Sequence, residues 1–157
     1  MSQRTDETAT SLVASLAEFP GELRRLLEGY PEDALRRPSS DGQWGVLENL
    51  CHLRDWESVF FDRARAIAEV DRPDLPAFDD SLWEIENAYA QQEPWMVIGE
   101  FADLRRDLVE VLTRVGVERW NREGVHAIRG PVSLRWLADY LLEHDRTHLD
   151  QIKEALH

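Results

Sequence analysis

Residues 133–152 read SLRWLADYLLEHDRTHLDQI. Leu134, Leu137, Leu141, His144, His148, Ile152 and Ala155 recur at steps of three and four, one apolar stripe of an amphipathic helix. Ser133 is a good N-cap, and Val132 and Leu137 are spaced as a hydrophobic staple. His144 and His148 therefore fall on the core-facing stripe, one turn apart. Core positions ordinarily take aliphatic or aromatic residues, and imidazole is costly to bury unless its nitrogens are satisfied. Side chains at i and i+4 can also converge on one ion, the H-x-x-x-H spacing of many metal ligands. The pattern leaves both readings open: two accommodated core histidines, or two ligands completed by a third from elsewhere.

The same period extends outward. Leu12, Leu16, Phe19, Leu23, Leu26 and Tyr30 form a first stripe, interrupted by Pro20, which predicts a kink or a late helix start. RRPSSDG (36–42) then breaks the chain. A second helix is expected from Gly45, with Glu48 placed to supply half a capping box, and with Val46, Leu50, Leu53, Phe60, Ala64 and Ile67 as its stripe. The prolines of DRPDLP end it. Residues 71–97 are the least regular, with SLWEIENAYAQQ readable as a short helix. A third long helix begins at Glu93-Pro94 and carries Ile98, Phe101, Leu104 or Arg105, Leu108, Leu112 and Val115 to a stop at Gly116. The stretch 117–131 reads as a loop carrying Trp120 and His126, and no strand-like alternation or internal repeat competes. The expectation is one all-α domain over residues 1–157, a four-helix bundle. Its long connection between helices two and three can cross the bundle, so up-down-up-down order need not hold.

Bulk properties exclude several classes of function. The 157 residues include 43% hydrophobic and 31% charged residues, values of a globular chain. The formal net charge of −13, from 31 acidic against 18 basic residues, opposes nucleic acid and anionic membrane surfaces. No apolar run reaches the length of a membrane span, and MSQRTDETATS lacks the core of a signal peptide. Cys51 is the one cysteine, which excludes an internal disulfide and suits the cytoplasm.

Third-ligand candidates are His52, His126 and His157. His52 lies on the second helix about a quarter-turn from its stripe, with Trp56 one turn on. His126 is in the loop and His157 is terminal. Glu57 lies near the middle of its helix's stripe, where an unpaired carboxylate is unfavourable, so it suits either an imidazole or an arginine partner. Asp145 is the other candidate acceptor for an imidazole N–H, or else a solvated neighbour. Cys51 reads as a small core residue. Trp44, Trp56 and Trp136 read as packing, whereas Trp83, Trp95 and Trp120, with Tyr89 and Arg129 as weaker candidates, could wall a cleft.

GQWGVLENLCHLRDWE (42–57) together with SLRWLADYLLEHDRTHLDQI resembles the DinB/YfiT-like superfamily of four-helix bundles. The likeness extends to FADLRRDLVEVL (101–112), Trp120 and the glycine before the last helix. The resemblance implies an up-down-down-up bundle and a divalent metal, usually nickel or zinc, held by three histidines, one from the second helix and two, four apart, from the fourth. By position those are His52, His144 and His148. Many members place Ser or Thr as the cap after the tryptophan, where this chain has Gly45.

Three neutral imidazoles leave coordination positions open, the pattern of catalytic rather than structural zinc. A metal so held lowers the pKa of a bound water or thiol. The resemblance therefore implies a metal-dependent enzyme acting on a small molecule, either a transferase using a low-molecular-weight thiol or a hydrolase using water. The alternatives are a non-catalytic metal- or ligand-binding stress-response module and a purely structural bundle. A homodimer through a helix face is a further expectation from similar bundles.

Overall fold

The computed structural model describes residues 2–38 and 42–157, with side chains from residue 8 onward. Residues 39–41 of the RRPSSDG break thus lie outside the described residues. Helix α1 spans Ser2–Glu28, α2 Glu32–Arg36, α3 Val46–Glu69, α4 Trp83–Glu86, α5 Pro94–Val115 and α6 Leu134–Leu156. The long helices α1, α3, α5 and α6 form the bundle, and α1 and α3 each pack on both α5 and α6.

Two apolar clusters give the direction of each helix. One joins Phe19, Leu23 and Leu27 of α1, Val46 to Leu53 of α3, Val97, Ile98 and Phe101 of α5, and Leu149, Ile152 and Leu156 of α6. The other joins Ala9, Leu12 and Leu16, then Phe60, Ala64 and Ile67, then Leu108 and Leu112, then Leu134, Leu137, Ala138 and Leu141. The end of α1 thus meets the starts of α3 and α5 and the end of α6. Helices α1 and α6 run one way, α3 and α5 the other. That is up-down-down-up, and it makes α3 and α5 parallel neighbours, which only a long crossing can connect.

Between the clusters lies Arg105, 1% exposed. Its Nε and Nη2 donate to the two Glu57 carboxylate oxygens at 2.6 and 2.9 Å. Nη1 and Nη2 donate to the two Asp145 oxygens at 2.8 and 2.9 Å. The remaining Nη1 donor reaches the Leu16 carbonyl at 3.0 Å. This is the carbonyl that the N–H of residue 20 would take in an uninterrupted helix, and proline has no N–H. Helix α1 accordingly runs through Pro20 without ending. One guanidinium ties all four long helices together with every donor used.

The helix starts follow their caps. Ser133 Oγ accepts from Trp136 N–H at 3.0 Å, and Pro94 occupies the first turn of α5. Gly45 caps α3, and a Cβ there would collide with the Arg37 carbonyl oxygen. That accounts for glycine at this cap. Glu48 does not close a capping box, because its Oε2 is buried with no hydrogen-bond partner among the described residues.

The expectation that the chain carries no strands needs correction. Glu123–His126 (β2) pairs antiparallel with Gly130–Ser133 (β3), and Asp74–Leu75 (β1) adds a parallel strand. The sheet pins the crossing at 71–93 to the hairpin, with Val125 and Ala127 N–H donating to the Pro73 and Leu75 carbonyls at 2.8 and 3.0 Å. Strands of two to four residues are too short to show alternation, and the prolines of DRPDLP hide the first one. Gly130 turns the hairpin with φ 79°. No described helix is long and apolar enough to cross a membrane.

Candidate metal centre

Helices α3 and α6 are antiparallel neighbours, and at their contact the histidines of both meet. The ring centroids of His52 and His148 are 4.5 Å apart, those of His144 and His148 4.5 Å, and those of His52 and His144 5.5 Å. One nitrogen of each ring lies within 4.8 Å of the others. Ligand bonds of about 2.0–2.1 Å at tetrahedral angles imply nitrogens roughly 3.3 Å apart. Small side-chain rotations close that difference.

The electrostatics suit a cation. Burial, and then the neighbouring charges of His148, His52 and Arg105, push the His144 pKa down to about 3. Burial and His52 push His148 down to about 4. Burial also lowers His52, against the pull of Asp80 and Asp55. All three rings are thus neutral at pH 7, the form that ligates.

The tautomer of His148 is held by Asn49. The Asn49 side-chain amide donates to the Gly45 carbonyl at 2.9 Å, so its Oδ1 faces His148 Nδ1 at 2.8 Å. Nδ1 therefore carries the proton and Nε2 keeps its lone pair. Asp80 lies 3.7 Å from His52 Nδ1, and Trp56 Nε1–H donates to the same Asp80 oxygen at 2.9 Å. Trp44 packs on His52 with centroids 4.8 Å apart and donates its Nε1–H to Glu84 at 2.8 Å. The crossing segment is thus fastened to the histidines by two indole hydrogen bonds.

Several sequence-based assignments change here. Glu57 and Asp145, the candidate acceptors for the imidazoles, face Arg105 with all four of their carboxylate oxygens, which is the arginine alternative for Glu57 and neither alternative for Asp145. The acceptor on a ring of the cluster is Asn49, which carries no charge and sits one turn before His52 on the Gly45 side. Its spacing of three residues before His52 sets it on the same side of α3, but its partner ring comes from α6. Of the tryptophans read as packing, Trp44 and Trp56 flank His52, and Trp56 and Trp136 line a cavity. Trp120, read as a cleft wall, is buried and donates to the Leu112 carbonyl at 3.1 Å. Cys51 is fully buried, and burial pushes its thiol up to about 12, so it is no nucleophile at neutral pH. His126 stays apart from the cluster, its Nδ1 accepting from the N–H groups of Ile128 and Arg129 at 3.1 Å each.

Beside the histidines lies a cavity of about 470 Å³. Its walls Phe60 and Tyr140 also pack on His144, with centroids 5.5 and 6.2 Å away, and Trp56 lies 6.4 Å from His52. Tyr140 lies one turn before His144 on α6, so the helix that carries the imidazoles also carries part of the cavity wall.

The up-down-down-up bundle with this histidine cluster defines a known class. A model of the DinB superfamily matches residues 15–152, and the chain belongs to that superfamily. A protein of Oceanobacillus iheyensis named "Putative metal-dependent hydrolase" is 23% identical over 155 residues, 97% of this chain and 87% of that one. A Geobacillus thermodenitrificans protein of the same name is 28% identical over 117 residues, 72% of this chain and 65% of its own length. Among solved structures, YfiT from Bacillus subtilis, described as a probable metal-dependent hydrolase with an unusual four-helix bundle topology, has this fold. It superposes with a TM-score of 0.86 at 19% identity, covering 96% of this chain and 86% of that one.

Proposed function

We propose that the protein is a metal-dependent enzyme of the hydrolase type, with nickel or zinc held by His52, His144 and His148. The observation that carries this reading is the convergence of three neutral imidazoles from two helices, within 4.8 Å of one another, beside a cavity of small-molecule size. The residues fit such an ion: the donors are nitrogens alone, and Asn49 points one ring's lone pair away from itself. An ion there would act as a Lewis acid and activate a nucleophile near neutral pH. The chain's own residues orient the ligands, exclude water with Trp44, Trp56 and Phe60, and hold the crossing segment over His52 through Asp80 and Glu84.

Water as the nucleophile accords with the names of the two relatives. A low-molecular-weight thiol is the second nucleophile that the same site accommodates, and it would make the protein an S-transferase. Arg63 and Arg129, which line the cavity, would attract an anionic thiol. Metal content by plasma mass spectrometry tests the site. About one nickel or zinc per chain is expected after loading and dialysis, and less than about a tenth of that in His144→Ala, since two imidazoles rarely hold an ion tightly. Equal metal in both proteins would place the ion elsewhere. Turnover of an activated ester without thiol, against turnover of an electrophile only with thiol, separates hydrolase from transferase. Loading without either turnover would leave a binding module.

A further inference from the structure

The cavity beside the histidines carries a charge opposite to that of the whole chain. The formal net charge is −13, yet the charged side chains that line the cavity are Arg63 and Arg129. Among the described residues neither guanidinium has a carboxylate partner. Arg63 lies 5.7 Å from the Trp56 ring and 5.8 Å from that of Phe78, and Arg129 5.2 Å from Trp136 and 5.3 Å from Tyr140. Arg63 Nη2 donates to the Pro76 carbonyl at 3.1 Å, while its Nε is buried with no hydrogen-bond partner. The two cations bear on each other and on the cavity. Burial and then Arg129 lower the pKa of Arg63, and burial, Arg63 and Arg129 lower that of His126. Arg63 is half-buried and Arg129 exposed, whereas the other described arginines that are not exposed have an anion, as Arg105 has two carboxylates, Arg54 Asp55 and Glu100, and Arg122 Asp71. A half-buried guanidinium with no anion and an unsatisfied buried Nε, as Arg63 has, is unfavourable unless a ligand supplies the counter-charge.

We propose that this cavity is a substrate subsite for a small molecule with a planar apolar body and an oxyanion head, a carboxylate or a phosphate, bound by Arg63 and Arg129. The aromatic walls take the body, and the guanidiniums, stacked on those walls, present their edges to the head. The volume of about 470 Å³ admits a small molecule and not a macromolecule. Phe60 and Tyr140, shared with His144, set the other end of the ligand against the histidines. That direction rests on the metal-site reading; the anion site does not.

The test uses the full chain, stripped of metal with a chelator, and isothermal titration with three probes of one shape: 2-naphthoate, 2-naphthyl phosphate and the neutral 2-naphthamide. At least one anion should bind about tenfold or more tighter than the amide, as one charge-assisted contact implies. The tighter of the two anions identifies the head. Arg63→Gln and Arg129→Gln should each weaken the anion by about five- to tenfold and leave the amide unchanged. Arg129 lies on the hairpin turn, so its variant reads the site even if Arg63→Gln folds poorly. Equal binding of amide and anions, or anion binding indifferent to both variants, would overturn the proposal. Metal content after reloading part of each preparation with nickel or zinc and dialysing separates the two readings: failure to take up metal with retained anion binding sinks only the metal site, and the reverse sinks only this subsite.

Discussion

Arg105 with its carboxylates and the three histidines are polar groups set largely out of solvent where α3 and α6 meet, but they are completed in different ways. Around Arg105, five donors meet two carboxylates and a freed carbonyl, and every polar atom is accounted for. Around the histidines, Asn49 takes one nitrogen of His148, Asp80 stands 3.7 Å from His52, and the ring nitrogens that converge face one another. A buried group that is internally satisfied holds helices together. A buried group satisfied only by something brought in holds a ligand. The two sets are joined in sequence, Asp145 following His144 and Glu57 lying five residues after His52. The closed set thus fixes the helices on which the open set depends.

The sharpest way to break the comparison is to open the closed set. Arg105→Met leaves two carboxylates buried without a cation and should cost about 3–5 kcal/mol in urea unfolding. Removing all three charges together, with Glu57→Leu and Asp145→Leu added, should recover most of that loss, because no buried charge is left unpaired. A single variant as mild as the triple would mean that water reaches the layer and that it is not closed.

The next test reads the open set through its protons. In the unfolded chain histidine titrates near 6.5, while in the fold His144 is held at about 3 and His148 at about 4. Above pH 6.5 both states are neutral and the histidines contribute nothing to the pH dependence. As pH falls below 6.5 the unfolded state binds protons that the folded state refuses. Chelated protein should therefore lose about 1.4 kcal/mol per pH unit for each such histidine, levelling off as the folded rings protonate at about 4 and 3. His144→Leu should remove one histidine's share of that slope. Denaturant melts between pH 7 and 4 measure it, and an unchanged slope in the variant would show that the ring is solvated in the apo fold.

What the sequence made legible follows the same division. The stripes of α1, α3, α5 and α6 were readable because a helix that buries one face repeats its apolar residues every three or four positions. His144 and His148 were readable as a pair for the same reason, and His52 joined them through the resemblance to a family. Asn49 was missed because a neutral amide on an apolar stripe looks like any tolerated polar residue. Its role depends on a ring from a helix distant in sequence. The sequence leaves Glu57 open between an imidazole and an arginine, since intrahelical spacing says nothing about which residue of α5 faces it. The small sheet and the cavity were invisible for a further reason: both are made by the crossing and the hairpin, whose strands are too short for periodicity and whose contacts are all long-range.

Asn49 offers a finer test of the open set. Asn49→Ala removes the acceptor that fixes His148 Nδ1–H and should weaken nickel or zinc by about 10- to 100-fold in a competitive chelator titration. Stoichiometry should stay at one, which distinguishes the loss of an orienting partner from the loss of a ligand. An unchanged affinity would mean that the packing of Trp44 and His52 around the ring suffices to orient it.

The smallest effect belongs to Pro20, and it probes how completely the closed set is closed. A proline in a helix interior usually costs about 3 kcal/mol relative to alanine, part of it the lost hydrogen bond to the carbonyl four residues back. Here that carbonyl belongs to Leu16, and Arg105 Nη1 has taken the bond at 3.0 Å. Pro20→Ala should therefore stabilise the protein by less than about 1 kcal/mol, because the new N–H competes for an acceptor already in use. In an Arg105→Met background the same substitution should stabilise by more, since the carbonyl is then an orphan, and the difference between backgrounds should fall in the range of about 0.5–3 kcal/mol typical of residues sharing a partner. Equal effects in both backgrounds would show that the proline and the guanidinium act independently. A coupling of the expected sign would mean that the hydrogen bond missing from α1 at Pro20 is part of the arginine site, a carbonyl released by proline to complete the fifth donor.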